Sequence, residues 1–317
     1  MKYLLIFFLL ISFSISAQNF SVIKEKTDLY SGLLTAEKLA HKIELDFSSE
    51  EDKVKAIFCW MTKNIRYDLD EFYNPTRKEI SFRYRTNEER DQKLQEIKNK
   101  TVAETLSTRK GVCEGYAQTF SKICDLLQIE NEVITGYVRT SSNTIGKPQQ
   151  QPNHAWNTVK INNKWIFIDT TWGAGYENNG KWLRNFNPYY FNISTKKYFK
   201  THFPEKSIWR LRVGRMEKEE FYNQPIYSHL FLKSDVELTA PKSGILSKNK
   251  NGKIDIILKN IKPSQQIHVG FLGLPYAQKP EVTSKNGVTS VTITPPTNAL
   301  QLFLLIDKEV AIEFLIQ

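Results

Sequence analysis

The chain has 317 residues, of which 40% are hydrophobic and 12% aromatic, with Lys+Arg 44 against Asp+Glu 34 and a formal charge of +10. That composition excludes a disordered or low-complexity chain, and no arginine cluster interleaved with aromatics points to nucleic acid as a partner. Three cysteines are too few for a disulfide framework, and their odd number leaves at least one thiol free.

The first residues read as an export signal. Lys2 supplies a positive start, Leu4 to Phe13 an apolar run, and Ser14, Ser16 and Ala17 small residues before a cut ahead of Gln18. An uncleaved N-terminal anchor is the other reading of the same segment. The run is shorter than the roughly 20 apolar residues of an ordinary span. No cysteine lies near the cut to take a lipid, and no later segment is apolar enough to cross a membrane. The expectation is a secreted, periplasmic or cell-surface protein with residues 1–17 removed and no integral membrane segment afterwards. The basic balance would suit an acidic cell envelope, or be no more than a soluble basic surface.

From Ser49 to Asn64 the spacing of Val54, Ile57, Phe58 and Met61 predicts a helix, with Glu50, Glu51 and Asp52 at its start and Ser48 or Ser49 as cap. Residues 76–100 are dense in charge and predict an exposed insertion ending in a short helix. A second helix is expected from Cys113 to Leu127, where Cys113, Ala117, Phe120, Cys124 and Leu127 repeat at 4-3-4-3 on one buried face. Cys113 and Cys124 then lie about 16 Å apart on one helix and cannot bridge. Cys59 and Cys124 read as buried free thiols, with a bond between them as the alternative.

Strands are predicted at 132–139, 154–161 and 164–171. Asn162-Asn163 fits a two-residue turn, since asparagine tolerates positive φ. In that register Ile161 pairs with Lys164, and His154, Trp156 and Asp169 share a face. His154 and Asp169 become diagonal neighbours at roughly 7 Å, close enough for a carboxylate to select an imidazole tautomer. A one-residue slip would separate them. Glycines and aromatics follow Trp172. From Val236 short β-type runs at 254–258, 267–271, 288–294 and 302–306 predict a small all-β sandwich. About 300 mature residues suit two domains, at 18–235 and 236–317.

The chemistry concentrates in Cys113, His154 and Asp169. A thiol attacks as the thiolate, and a helix N-terminus favours the anion while offering N–H groups to an oxyanion. A histidine takes the proton and an aspartate holds the histidine. Each residue taken singly has an ordinary structural reading. A zinc site on the same three is conceivable, though no Cys-x-x-Cys or His-x-x-x-His pair accompanies them. Trp156 and Trp172 are candidate walls of a substrate site, with core packing as the alternative.

The block Arg109-Lys110-Gly111-Val112-Cys113-Glu114-Gly115-Tyr116-Ala117, then His154-Ala155-Trp156-Asn157 and Trp165-Ile166-Phe167-Ile168-Asp169-Thr170-Thr171-Trp172-Gly173, resembles the transglutaminase-like superfamily, nearest its kyphoscoliosis-peptidase-like branch. Lys53–Trp60 leading to Asn64-Ile65-Arg66-Tyr67-Asp68, and downstream Pro188–Phe191, Thr201–Pro204 and Trp209–Leu211, extend the resemblance over about residues 45–235. It implies an α+β, papain-like core, with a helix carrying Cys113 packed on an antiparallel sheet carrying His154 and Asp169, ahead of the sandwich. It implies Cys113 as nucleophile, His154 as general base and Asp169 as orienter, acting on a protein or peptide amide. No run of regularly spaced acidic residues resembles a calcium loop, so no metal or other cofactor is expected. No side-chain oxyanion donor can be assigned from these motifs. Hydrolysis and cross-linking both remain open, as does a scaffold that keeps the fold without turnover.

Overall fold

The computed structural model describes residues 12–76 and 82–317. The chain forms two compact units, one of residues up to Ile134 with His154–Ile193, the other of Thr135–Asn153 with Ser194–Gln317. The change of texture at Val236 falls inside the second. Of the expected signal segment, residues 1–11 lie outside the described residues. Ser12–Asp28 form helix α1. Among the described residues no helix is long and apolar enough to cross a membrane.

The first unit opens with α1, α2 (Ala36–Asp46) and α3 (Glu50–Asn64). Ser49 caps α3 by accepting from the Asp52 N–H, and three acidic residues occupy its first turn. Val54 through Thr62 are all buried, so α3 is surrounded by protein along most of its length. Two short strands, β1 (Arg66–Tyr67) and β2 (Lys110–Gly111), pair in parallel around α4 (Leu69–Tyr73) and α5 (Asn87–Thr108).

The short helix expected near residue 100 is instead a 22-residue one. Residues 77–81 of the charged stretch lie outside the described residues. Local bonds rather than an apolar stripe start α5: Thr86 accepts from the Glu89 N–H, and Glu89 reaches back to the Arg85 N–H and to Lys93 one turn on. Only Val102, Thr105 and Leu106 are buried, all near its C-terminal end.

Helix α6 (Cys113–Leu126) buries Tyr116, Ala117, Phe120, Ile123 and Cys124. After it come β3 (Asn131–Val138), β4 (His154–Ile161) and β5 (Lys164–Ile168). Asn162 and Asn163 both take positive φ, 50° and 62°, and the β4–β5 register runs from Ile161 opposite Lys164 to Asn157 opposite Ile168. The predicted strand to residue 171 stops at Ile168, because Asp169 caps a short helix α7 (Thr170–Ala174). A hairpin of β6 (Gly175–Asn178) and β7 (Lys181–Arg184) follows.

In the second unit the end of β3 pairs antiparallel with β8 (His202–Pro204). The rest is dominated by two sheets. One has the order β10 (Glu237–Ala240), β12 (Ile254–Lys259), β15 (Val288–Ile293), β14 (Glu281–Lys285). The other runs β11 (Ile245–Leu246), β17 (Glu309–Ile316), β16 (Gln301–Ile306), β13 (Ile267–Phe271), with β9 (Ile226–Tyr227) on β17. Ile254, Ile256 and Leu258 of one sheet and Val269, Leu302, Leu304 and Phe314 of the other meet in a single core. That is the sandwich the alternating pattern predicts.

Candidate active site

The nucleophile candidate owes its place to the junction between α5 and α6. Arg109 leaves α5 in the left-handed region at φ 57°, and three residues later Val112 opens α6. Gly111 does not supply an unusual φ. A Cβ there would stand 3.2 Å from Thr105, so its value is close packing. Gly115 is tighter still, with Thr105 Oγ1 2.6 Å from where its Cβ would be. Cys113 is therefore the first helical residue, half-buried, and Val112 before it makes no side-chain cap. The N–H groups of that first turn are free of a capping side chain, and the positive end of the helix dipole lies at the thiol.

His154 stands at the start of β4 and Asp169 just past the end of β5, both buried. His154 Nε2 and Asp169 Oδ2 are 2.7 Å apart. Asp169 Oδ1 accepts from the Trp172 N–H at 3.0 Å as the cap of α7, and the Asp169 N–H donates to the Tyr190 carbonyl. Burial works against a charged His154, but Asp169, with the nearby Cys113 adding to it, outweighs that and raises the imidazole to about 10. With Nε2 turned to Asp169, Nδ1 is the nitrogen left for the thiol. One cross-link sets strand against helix: the buried Asn157 amide donates to the Ala117 carbonyl of α6 at 3.0 Å.

Tyr67 is the residue that the motifs did not single out. Its position is set by β1, where Tyr67 pairs with Gly111 and the Asp68 N–H donates to the Gly111 carbonyl. That pairing brings the Tyr67 ring beside Cys113. Burial, followed by the nearby Cys113 and Asp169, pushes its pKa up and keeps it a neutral phenol. Its O–H is thus a donor held beside the thiol. The two-residue bridge that places it has no periodic signal; the resembling stretch Asn64–Asp68 contained Tyr67 but assigned it no role.

Of the two tryptophans, Trp156 is 1% exposed and stacks on the His154 ring at 5.8 Å and 24°. It backs the imidazole and offers no surface to a substrate. Trp172 is half-buried, 5.6 Å from the same ring, and meets Tyr190 edge-on. Cys59 and Cys124 are buried and unbridged. Burial pushes Cys59 up to about 12 and Cys124 well above the ordinary thiol.

Residues 37–170 match the sequence model of the transglutaminase-like superfamily. Kyphoscoliosis peptidase of Homo sapiens is 25% identical over 310 residues, 92% of this chain and 42% of that protein. The Mus musculus kyphoscoliosis peptidase is 24% identical over 304 residues, 90% of this chain and 41% of its own. The chain thus spans about two fifths of the length of these relatives. A solved TGase structure is 19% identical and covers 57% of this chain and 37% of its own, with a TM-score of 0.29.

Proposed function

We propose that this chain, a transglutaminase-like protein near the kyphoscoliosis-peptidase branch, is an exported cysteine enzyme that acts on protein or peptide amides through a thioester. The observation that carries the reading is a buried imidazole held by Asp169 at 2.7 Å, with Cys113 close enough to act on its charge. Cys113 Sγ attacks the amide carbonyl as the thiolate, paired with the imidazolium of His154. The oxyanion that forms faces donors at the start of α6 and the Tyr67 hydroxyl. Collapse breaks the C–N bond, His154 returns the proton to the departing amine, and an acyl-thioester remains on Cys113. Water then gives hydrolysis; a second amine gives cross-linking. Export rests on the N-terminal run of Lys2 and Leu4–Phe13 followed by small residues.

The deciding experiment is the pH dependence of alkylation at each cysteine, followed by mass spectrometry in the unaltered protein and in His154→Ala. Cys113 should alkylate far faster at neutral pH than Cys59 or Cys124, and that advantage should vanish without His154. Cys59 and Cys124 should stay inert in the folded protein. A Cys113 that alkylates like any exposed thiol, indifferent to His154, would instead favour a scaffold that keeps the fold without turnover.

A further inference from the structure

An aromatic cluster in the first unit begins at the nucleophile and is not consumed by the triad. Tyr67, which pairs with Gly111 two residues before Cys113, stacks on Trp182 at 5.5 Å and 29°. Its other neighbour is Phe72, edge-on at 5.7 Å, and Phe72 in turn meets Tyr73 at 5.1 Å. Tyr67 and Trp182 are half-buried, whereas Phe72 and Tyr73 are 53% and 56% exposed. The rings come from β1, α4 and β7, so no single amphipathic pattern explains them.

Each contributing segment is fixed. Asp68 caps α4 by accepting from the Glu71 N–H, and Glu71 accepts from both the N–H and the hydroxyl of Thr76. Arg184, at the end of β7, donates to the carbonyls of Thr62 and Ile65, and the Tyr116 hydroxyl donates to the same Ile65 carbonyl. A rigid apolar surface left in water beside a nucleophile is what a substrate side chain would cover.

We propose that the acyl donor is a polypeptide that lays an aromatic or large aliphatic side chain, on the residue bearing the reacting carbonyl, against a shelf made by Phe72, Tyr73 and Trp182. This rests on the thiol acyl-transfer reading of Cys113. Continuity supports it: the shelf reaches the thiol through Tyr67, so a chain whose carbonyl sits at Cys113 has its neighbouring side chain within reach of the rings.

The test uses peptidyl acyloxymethyl ketones that differ only in Phe or Asp next to the reactive carbonyl. Labelling rates at Cys113 are normalised to iodoacetamide on the same protein. The Phe probe should label about tenfold faster or more, the worth of taking one such side chain out of water. The ratio should fall towards one in Phe72→Ala and in Trp182→Ala, and persist in Phe72→Tyr, which keeps the ring. Equal rates in the unaltered protein, or a preference that survives both alanine variants, would overturn the shelf. The two readings fail separately. Iodoacetamide alkylation indifferent to His154 removes the catalytic reading, whereas His154-dependent alkylation without side-chain preference removes only the shelf.

Discussion

Asp169 uses its two oxygens for different purposes, one to accept the His154 ring N–H and one to cap α7 at the Trp172 N–H. The two can be separated by substitution. Asp169→Asn keeps an oxygen for the cap but turns an amide N–H₂ towards an imidazole that needs an acceptor, which reverses the tautomer. Its urea midpoint should stay close to that of the unaltered protein, while probe labelling of Cys113 falls by on the order of 10⁴, as expected when the orienting carboxylate of a triad becomes an amide. Asp169→Ala loses the cap as well and should cost about 1 kcal/mol more in stability. If the two variants unfold alike and label alike, capping and orienting are not distinct roles of this side chain.

At the scale of elements, the site depends on how closely α5 and α6 approach. Thr105 is buried, its Oγ1 has no hydrogen-bond partner, and it fills the space that any side chain at 115 would need. Gly115→Ala should therefore destabilise the fold by about 1–3 kcal/mol through overpacking. Adding Thr105→Ala, which deletes the clashing oxygen, should recover much of that. A denaturant double-mutant cycle with no coupling would show that the helices move apart freely instead. The same elements show what a sequence can and cannot reveal. The β4–β5 register was legible because Asn162-Asn163 permits only a tight turn and the alternation has a period of two. The neighbourhood of His154 and Asp169 followed from it, although Asp169 sits at a helix cap beyond the strand. Helix α5 was underestimated because its first turns bury nothing; the Thr86-x-x-Glu89 capping box was the signal present in the chain. Tyr67 reaches Cys113 through a pairing of two residues each, too short for any pattern to announce.

For the whole molecule, buried His154 and half-buried Lys200 give stability opposite dependences on pH. His154 is raised from 6.5 to about 10 in the folded chain, chiefly against burial and by virtue of Asp169. Its contribution is complete below the unfolded value and is lost as pH rises towards 10, because the folded state there holds a proton that the unfolded chain has released. Lys200 runs the other way. Burial, reinforced by Lys197, lowers it from 10.5 to about 8. Between those values the unfolded chain binds the extra proton, so stability rises with pH. The unfolding free energy should fall from about pH 6.5 to 8 and then flatten as the two slopes oppose each other. In His154→Asn the first decline should disappear and a rise above pH 8 emerge; in Lys200→Met the decline should continue towards pH 10. His154 belongs to the first compact unit and Lys200 to the second. If the units unfold in separate transitions, the falling slope must therefore appear in one and the rising slope in the other. A decline that persists in His154→Asn would assign the retained proton to a group other than the imidazole beside Cys113.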